Sequence, residues 1–172
     1  EVSLPAGRTA EAVATGYRHT CAILDDGSVW CWGKNDYGQL GVGNSSDSGD
    51  WRYSPTAVMM PSGVSAIAIS LGNYHSCMVV DDGRAFCWGS DDDGQLGDGS
   101  ASGSNTPVSV TFEVGRSVIA IAHGSAHTCA MLDNMSVQCW GSNSAGQLGD
   151  GTTTDSTTPT YVSLASGSKV AV

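Results

Sequence analysis

The residues best equipped for chemistry are six cysteines in three pairs: Cys21 and Cys31, Cys77 and Cys87, Cys129 and Cys139. Nine residues separate the members of each pair, and a histidine stands two positions before each first cysteine: His19, His75 and His127. Thiols beside imidazoles raise three possibilities: nucleophilic catalysis, zinc ligation or disulfide bonding. A Cys–His nucleophile fits poorly, because the same thiol would have to stay free in all three copies. Zinc sites show C-x2-C or similar clusters, and C-x9-C across a tight hairpin is not that pattern. Disulfides fit best. Each pair brackets a strand, a turn and a strand, as in "AIL-DDG-SVW", and a three-residue loop ending in glycine is a known hairpin connection. In the first copy this loop opposes residues whose numbers sum to 52, so Ile23 faces Val29 and Cys21 faces Cys31. Opposed cysteines in a non-hydrogen-bonded pair are close enough to bridge. Six cysteines allow fifteen pairings, and the repeated geometry selects the three local ones. Each bridge closes a short loop and stabilises its hairpin by about 2–3 kcal/mol. Such bonds persist outside the cytosol, so the expected location is extracellular or the cell surface.

The remaining polar motifs divide by whether they recur. His19, His75 and His127 occupy one slot in three copies, whereas an active site occurs once per domain. Their expected role is structural, with each imidazole hydrogen-bonded inside its own repeat. His123 lies outside that slot and has no evident partner. Trp32, Trp88 and Trp140 recur in "WG" and read as packing between repeats rather than as a sugar platform or chromophore cluster. The "GQLG" words at Gly38, Gly94 and Gly146 supply tight turns; no Lys-Ser/Thr follows, so they are not phosphate loops. Asp91, Asp92, Asp93 and Asp98 in "SDDDGQLGDG" form a weak calcium candidate, lacking the ligand spacing and closing Glu of an EF-hand. A hydrolase built on these aspartates ranks below every non-enzymatic reading, and no other cofactor is expected. Trp51, Arg52 and Tyr53 sit in a stretch found once, expected to be an exposed loop, and their composition is that of an interface. Asn44 in "NSS" and Asn134 in "NMS" are N-glycosylation sequons. Thr152, Thr153, Thr154, Thr157 and Thr158 lie in a Thr-rich segment suited to O-glycosylation.

The elements that must position these residues are short strands. Gly is abundant, at 23 of 172 residues, and charged residues are sparse, which is a turn-rich, all-β composition. No run of 18 apolar residues occurs, so no membrane-spanning helix is expected. Seventeen acids against seven bases give a net charge of −10, which disfavours nucleic acid as a partner. Without an initiator Met or signal peptide at Glu1, the numbering reads as that of a processed chain or an excerpt.

The period is countable. Cys21 to Cys77 is 56 residues and Cys77 to Cys129 is 52; Pro55, Pro107 and Pro159 are 52 apart. The four extra residues of the first interval therefore lie between Gly41 and Pro55, as expected for a surface loop. The expected repeats are residues 1–55, 56–107 and 108–159, with residues 160–172 starting a fourth. One face of the first hairpin carries Cys21, Ile23, Val29 and Cys31; the other carries Ala22, Leu24, Trp30 and Trp32. Both are apolar, so both are expected to be covered, as in stacked propeller blades.

"GYRHTCAILDDGSVWCWGKNDYGQLGVG", residues 16–43, with its two further copies, resembles the regulator of chromosome condensation repeat. The resemblance covers essentially the whole chain. It implies a β-propeller of four-stranded antiparallel blades, usually seven to a ring, of which this chain holds three and the first strand of a fourth. That is an open arc or part of a larger ring. The paired cysteines depart from the general family pattern and point to a disulfide-stapled, secreted, bacterial-type branch. A second departure is Met135, standing where Gly27 and Gly83 stand in the other turns; a positive φ there would be strained. The family implies a non-enzymatic protein that binds other proteins through its loops. The alternative is self-assembly: copies of the chain joining as an extracellular fibre or surface layer through open blade faces.

Overall fold

The computed structural model describes residues 2–45 and 51–164. Twelve strands among these residues form three four-stranded antiparallel sheets, each ordered as it runs in sequence. The first sheet is β1 (Ala10–Thr15), β2 (His19–Leu24), β3 (Val29–Lys34) and β4 (Trp51–Ala57). The second is β5 (Ala66–Leu71), β6 (His75–Val80), β7 (Ala85–Gly89) and β8 (Ser104–Ser109). The third is β9 (Val118–His123), β10 (His127–Leu132), β11 (Val137–Gly141) and β12 (Ser156–Tyr161). The fold is all-β, and among the described residues no helix is long and apolar enough to cross a membrane.

The central hairpin of each sheet has the register that its turn dictates. Ile23 pairs with Val29 and Cys21 with Cys31. Leu24 donates its N–H to Ser28 O at 2.9 Å, which makes 24/28 a hydrogen-bonded pair. Alternation along the ladder then leaves the cysteines in a close, non-hydrogen-bonded pair. All three bridges form, Cys21–Cys31, Cys77–Cys87 and Cys129–Cys139, with Cα separations of 4.1, 4.0 and 4.0 Å. Each staples two strands of one sheet, and none joins one sheet to another.

Pro55, Pro107 and Pro159 fall inside β4, β8 and β12. These are edge strands, where a missing N–H is tolerated. The sheets therefore end a few residues beyond the repeat boundaries drawn at the prolines. Tyr161 closes the third sheet, and the expected first strand of a fourth repeat lies outside the described residues.

The sheets stack face to face, and every seam has a direction. The cysteine face of the first blade (Cys21, Ile23, Val29 and Cys31) packs on Met78, Val80, Phe86 and Trp88 of the second. The second blade's cysteine face (Cys77, Val79, Ala85 and Cys87) packs in turn on Ala130, Leu132 and Trp140 of the third. Both strands of the middle hairpin are consequently buried along their whole length, on both faces. In the outer blades one face is less covered: Trp30 and Trp32 are half-buried, as is Cys129.

The hairpin turns have positive φ in all three blades: 75° at Gly27, 85° at Gly83 and 66° at Met135. The strain anticipated at Met135 is present, since a side chain in this region costs about 1–2 kcal/mol. Glycine has a second reason at the first two turns. A Cβ on Gly27 would overlap Ser65 of the next blade, and one on Gly83 would lie 2.6 Å from Ser117. Met135 is 37% exposed. We expect Met135→Gly to raise stability by about 1 kcal/mol. Gly83→Met should cost distinctly more than that gain, because it adds a collision to the strain. Urea midpoints of the two variants test this, and effects equal in size would mean that φ alone matters.

Candidate functional site: seam histidines and the turn face

The turns that follow the "WG" words are built by one repeated device. A side-chain oxygen of Asn35, Asp91 or Asn143 accepts the N–H of Leu40 (3.1 Å), Leu96 (2.8 Å) or Leu148 (2.9 Å). Gln39, Gln95 and Gln147 accept the N–H groups of Tyr37, Asp93 and Ala145 through Oε1, each at 2.9 Å. These bonds fix the main-chain carbonyls of Gln39 and Gln95, which point into the seams. Gln39 O accepts from Trp88 Nε1 at 2.9 Å and from Ser76 Oγ at 2.8 Å. Gln95 O accepts from Trp140 Nε1 at 2.9 Å and from Thr128 Oγ1 at 3.1 Å. Gly41 must lack a Cβ because that atom would sit 2.8 Å from Trp88 Nε1.

The repeated histidines complete this arrangement. His19 Nε2 lies 2.9 Å from Ser76 Oγ, and His75 Nε2 lies 3.0 Å from Thr128 Oγ1. Because each hydroxyl donates to a glutamine carbonyl, each histidine donates its Nε2–H to the hydroxyl. For His19 and His75 the expectation of a bond inside their own repeat is corrected here: they bond across the seam, to a residue more than fifty positions away. Nδ1 of His19 and of His75 is buried without a hydrogen-bond partner. Burial lowers the pKa of His19 to about 4. Burial, with His19 and His127 adding to it, lowers that of His75 to about 3.

His123 ends β9 at the position held by Leu71 in β5 and Thr15 in β1. Its ring meets that of His75 edge-on, with centroids 4.7 Å apart, and neither of its nitrogens has a hydrogen-bond partner. Burial drives its pKa well below 6.5, and the neighbouring charges that add to the effect are other imidazoles: His75, His127 and His19.

Asp91 stands where the other blades have Asn35 and Asn143. Asn143 Nδ2 donates to the carbonyls of Thr152 (3.2 Å) and Thr154 (3.0 Å), and Asn35 Nδ2 donates to Asn44 O at 2.8 Å. A carboxylate has no N–H to give, and burial raises the pKa of Asp91 to about 6. Asp98 accepts the N–H of Ser100 at 2.7 Å, and Asp92 accepts from Ser90 Oγ at 3.2 Å. Among the described residues no three His, Cys, Asp or Glu side chains converge to hold a metal ion. Of the aspartates weighed for calcium, Asp91, Asp92 and Asp98 serve as acceptors in their own turns.

Trp51, Arg52 and Tyr53 belong to the edge strand β4 rather than to a loop, with Trp51 opposite Lys34 and Arg52 opposite Gly33. Tyr53 is 91% exposed and Trp51 41%, while Arg52 Nη2 donates to Asn44 Oδ1 at 3.1 Å. Asn44 and Asn134 are exposed. Asn134 Oδ1 accepts both the N–H (3.1 Å) and the hydroxyl (2.7 Å) of Ser136 in its own sequon. Thr152, Thr153 and Thr154 are exposed, as is Thr158 in β12, whereas Thr157 is half-buried beside Gly94.

Sequence reasoning missed a cluster of tyrosines drawn from three turns. Tyr37 and Tyr74 lie 4.8 Å apart between centroids, and Tyr17 meets Tyr74 edge-on at 5.9 Å. Tyr17 is 56% exposed and Tyr37 45%. Lys34 Nζ is 5.8 Å from the Tyr74 centroid and 2.8 Å from Asp36 Oδ2. The available signal was departure from the repeat: the slots of Tyr37 and Tyr74 hold Asp93 and Arg18 in other copies.

Stacked four-stranded antiparallel sheets with directional seams define β-propeller blades. The Regulator of chromosome condensation (RCC1) repeat matches residues 26–79, 82–131 and 136–172, and a second description of that repeat matches 11–39, 66–95 and 118–147. The chain belongs to the RCC1 repeat family. It is 36% identical over 159 residues to the human E3 ubiquitin-protein ligase HERC2, covering 92% of this chain and 3% of the ligase. It is 32% identical over 167 residues to the ultraviolet-B receptor UVR8 of Arabidopsis thaliana, covering 96% of this chain and 37% of the receptor. Prp20p from Saccharomyces cerevisiae superposes with a TM-score of 0.82 at 24% identity, over 92% of this chain and 39% of that one. The chain thus spans well under half of each of these proteins. They come from animals, plants and yeast, and lend nothing to the bacterial-type branch expected from the cysteines.

Two opposed pH dependences follow. His123 binds protons less readily folded than unfolded, so its contribution is fully present above pH 6.5 and is lost as the pH falls. His123→Leu, which copies Leu71, should gain on the parent progressively as the pH falls below 6.5. Asp91 has the opposite sign, with its stability present below pH 3.8 and lost as the pH rises through about 6. Asp91→Asn should therefore stabilise the protein at pH 8 and not at pH 3.5. Denaturation curves at pH 8, 5 and 3.5 check both; a variant offset that stays constant with pH would refute the assignment concerned.

Proposed function

We propose that this chain is a protein-binding module, a stiff stack of propeller blades presenting exposed aromatic side chains to partner proteins. The carrying observation is where polar chemistry is spent. His19 and His75, Asn35 and Asn143, and the glutamines of the turns are consumed in seams and turns, while Tyr53, Tyr17, Tyr37 and Trp51 face solvent. Large aromatics at the surface supply contact area with little entropy to lose. The family supports the same reading: the structure of Prp20p is described together with its binding properties to Gsp1p and histones. Any enzymatic activity of a ligase relative is that protein's own, and this chain covers 3% of it.

The finer reading is extracellular. Three disulfides, with no free cysteine among the described residues, suit an oxidising compartment. Asn44, Asn134 and the exposed threonines Thr152, Thr153, Thr154 and Thr158 are the positions a glycosylating host would modify, and half-buried Thr157 is the weakest candidate. A second reading is self-association through the faces of the outer blades. Trp30 and Trp32 lie on one, Cys129 on the other, and the inner seams join faces of these two kinds.

Chemical cross-linking of the purified protein to its source extract, followed by mass spectrometry, tests the main reading. Trp51→Ala with Tyr53→Ser, or Tyr37→Ser alone, should reduce one cross-linked partner at least tenfold without moving the thermal midpoint. Cross-links only between copies of the chain, unaffected by these changes, would favour self-association instead.

A further inference from the structure

The tyrosine cluster borders a groove that neither the family nor the repeated machinery accounts for. Its volume is ≈ 250 Å³, and Tyr37, Tyr74, Asn73, Asp92, Asp93 and Gln95 line it. Four of these have settled partners. Tyr37 and Tyr74 hold one another, Asn73 Nδ2 donates to Ser125 Oγ at 2.6 Å, and Gln95 Oε1 accepts the N–H of Asp93 while its Nε2 donates to Ser90 Oγ at 3.1 Å. The carboxylates are different, for although Asp92 accepts from Ser90 Oγ at 3.2 Å, that bond brings no opposite charge. Among the described residues no lysine or arginine forms an ion pair with Asp92 or Asp93. Asp93 is half-buried, and the charges acting on it, from Asp155 and Asp92, are of its own sign. The nearby cations are already engaged: Lys34 with Asp36, and Arg18 stacked 5.1 Å from the Tyr17 ring centroid.

A groove with aromatic rings and uncompensated carboxylates suits an elongated cation with an apolar stem. Rings attract cations through their negative faces, and Lys34 beside Tyr74 is an example within the protein itself. A bare metal ion fits poorly, since no set of three ligating side chains converges. A neutral sugar would use the rings but leave the like-charge repulsion unrelieved. We propose that this groove receives a lysine or arginine side chain of a basic protein partner, with its stem against Tyr37 and Tyr74 and its head group between Asp92 and Asp93. The net charge of −10 would steer such a partner from a distance. The inference rests on the protein-binding reading and adds the partner's chemistry.

The probe is a ten-residue peptide carrying two arginines and two lysines among Gly and Ser, with counterparts in which the four bases become Gln or Glu. Calorimetry on the intact, oxidised protein in low salt should give at least tenfold tighter binding for the basic peptide than for the Gln peptide. Asp93→Asn with Asp92→Asn, and separately Tyr37→Ala, should each weaken it at least fivefold, with the thermal midpoint of the double Asn variant not lowered. Thr154→Ala should have no effect. Equal binding of basic and Gln peptides, or basic binding indifferent to these changes, overturns the proposal. So does a neutral oligosaccharide whose binding is lost in Tyr37→Ala but kept in the double Asn variant. No binding by any peptide also overturns it, while a cross-linked partner lost with Trp51 and Tyr53 would leave the protein-binding reading standing.

Discussion

Two backbone carbonyls hold this protein together. Gln39 O and Gln95 O each accept two hydrogen bonds from the next blade, one from a tryptophan indole and one from a hydroxyl that a histidine in turn supports. These groups are buried, and a buried acceptor left unpaired costs about 1–3 kcal/mol. Satisfying it requires a tryptophan in the next blade, a small hydroxyl residue one strand away, a turn that aims the carbonyl and a glycine that lets the indole approach. The words "WG", "GQLG" and His-Thr or His-Ser recur together because they are parts of one joint. The disulfides have a separate role, stiffening each hairpin while leaving the seams to packing and these bonds.

How much was legible in the sequence depended on distance along the chain. The hairpin register was readable because a three-residue turn sets it locally, and from Ile23 opposite Val29 the pairing of Cys21 with Cys31 followed. The stacking of apolar faces was readable from alternation. The edge strand β4 was not, because "WRYSPTA" carries a proline and little apolar pattern, and an edge strand needs neither a full ladder nor two buried faces. The direction of the histidine bonds was hidden for a different reason: Ser76 is 57 residues from His19, and nothing local marks it as a partner. Tyr17, Tyr37 and Tyr74 come together only once three turns are placed side by side.

The departures from the repeat carry more functional information than the repeat does. Where copies agree, the residue belongs to a joint or a turn. Where they differ without an architectural reason, the side chain is released for something else or introduces a local cost. His123 in place of Leu71 puts a second imidazole against His75 in one seam alone. Asp91 in place of asparagine turns one buried amide into a titrating acid. Tyr37, in the slot that holds Asp93 and Ala145 in the other copies, helps to give one junction between turns an aromatic surface that the others lack.

The unlike faces of each blade also bear on how such a chain changes over generations. Because a cysteine face always meets a tryptophan face, in-frame loss or tandem duplication of one 52-residue period leaves every remaining seam chemically matched. The number of blades can then change in whole-blade steps with little penalty at the joints. A change of length inside a hairpin breaks the carbonyl alignment, whereas the connection between Gly41 and Pro55 carries four extra residues and leaves the first seam intact. Met135 is a mark against that interchangeability: a third blade transplanted into the middle position would drive its side chain toward the place that Ser117 occupies beside Gly83.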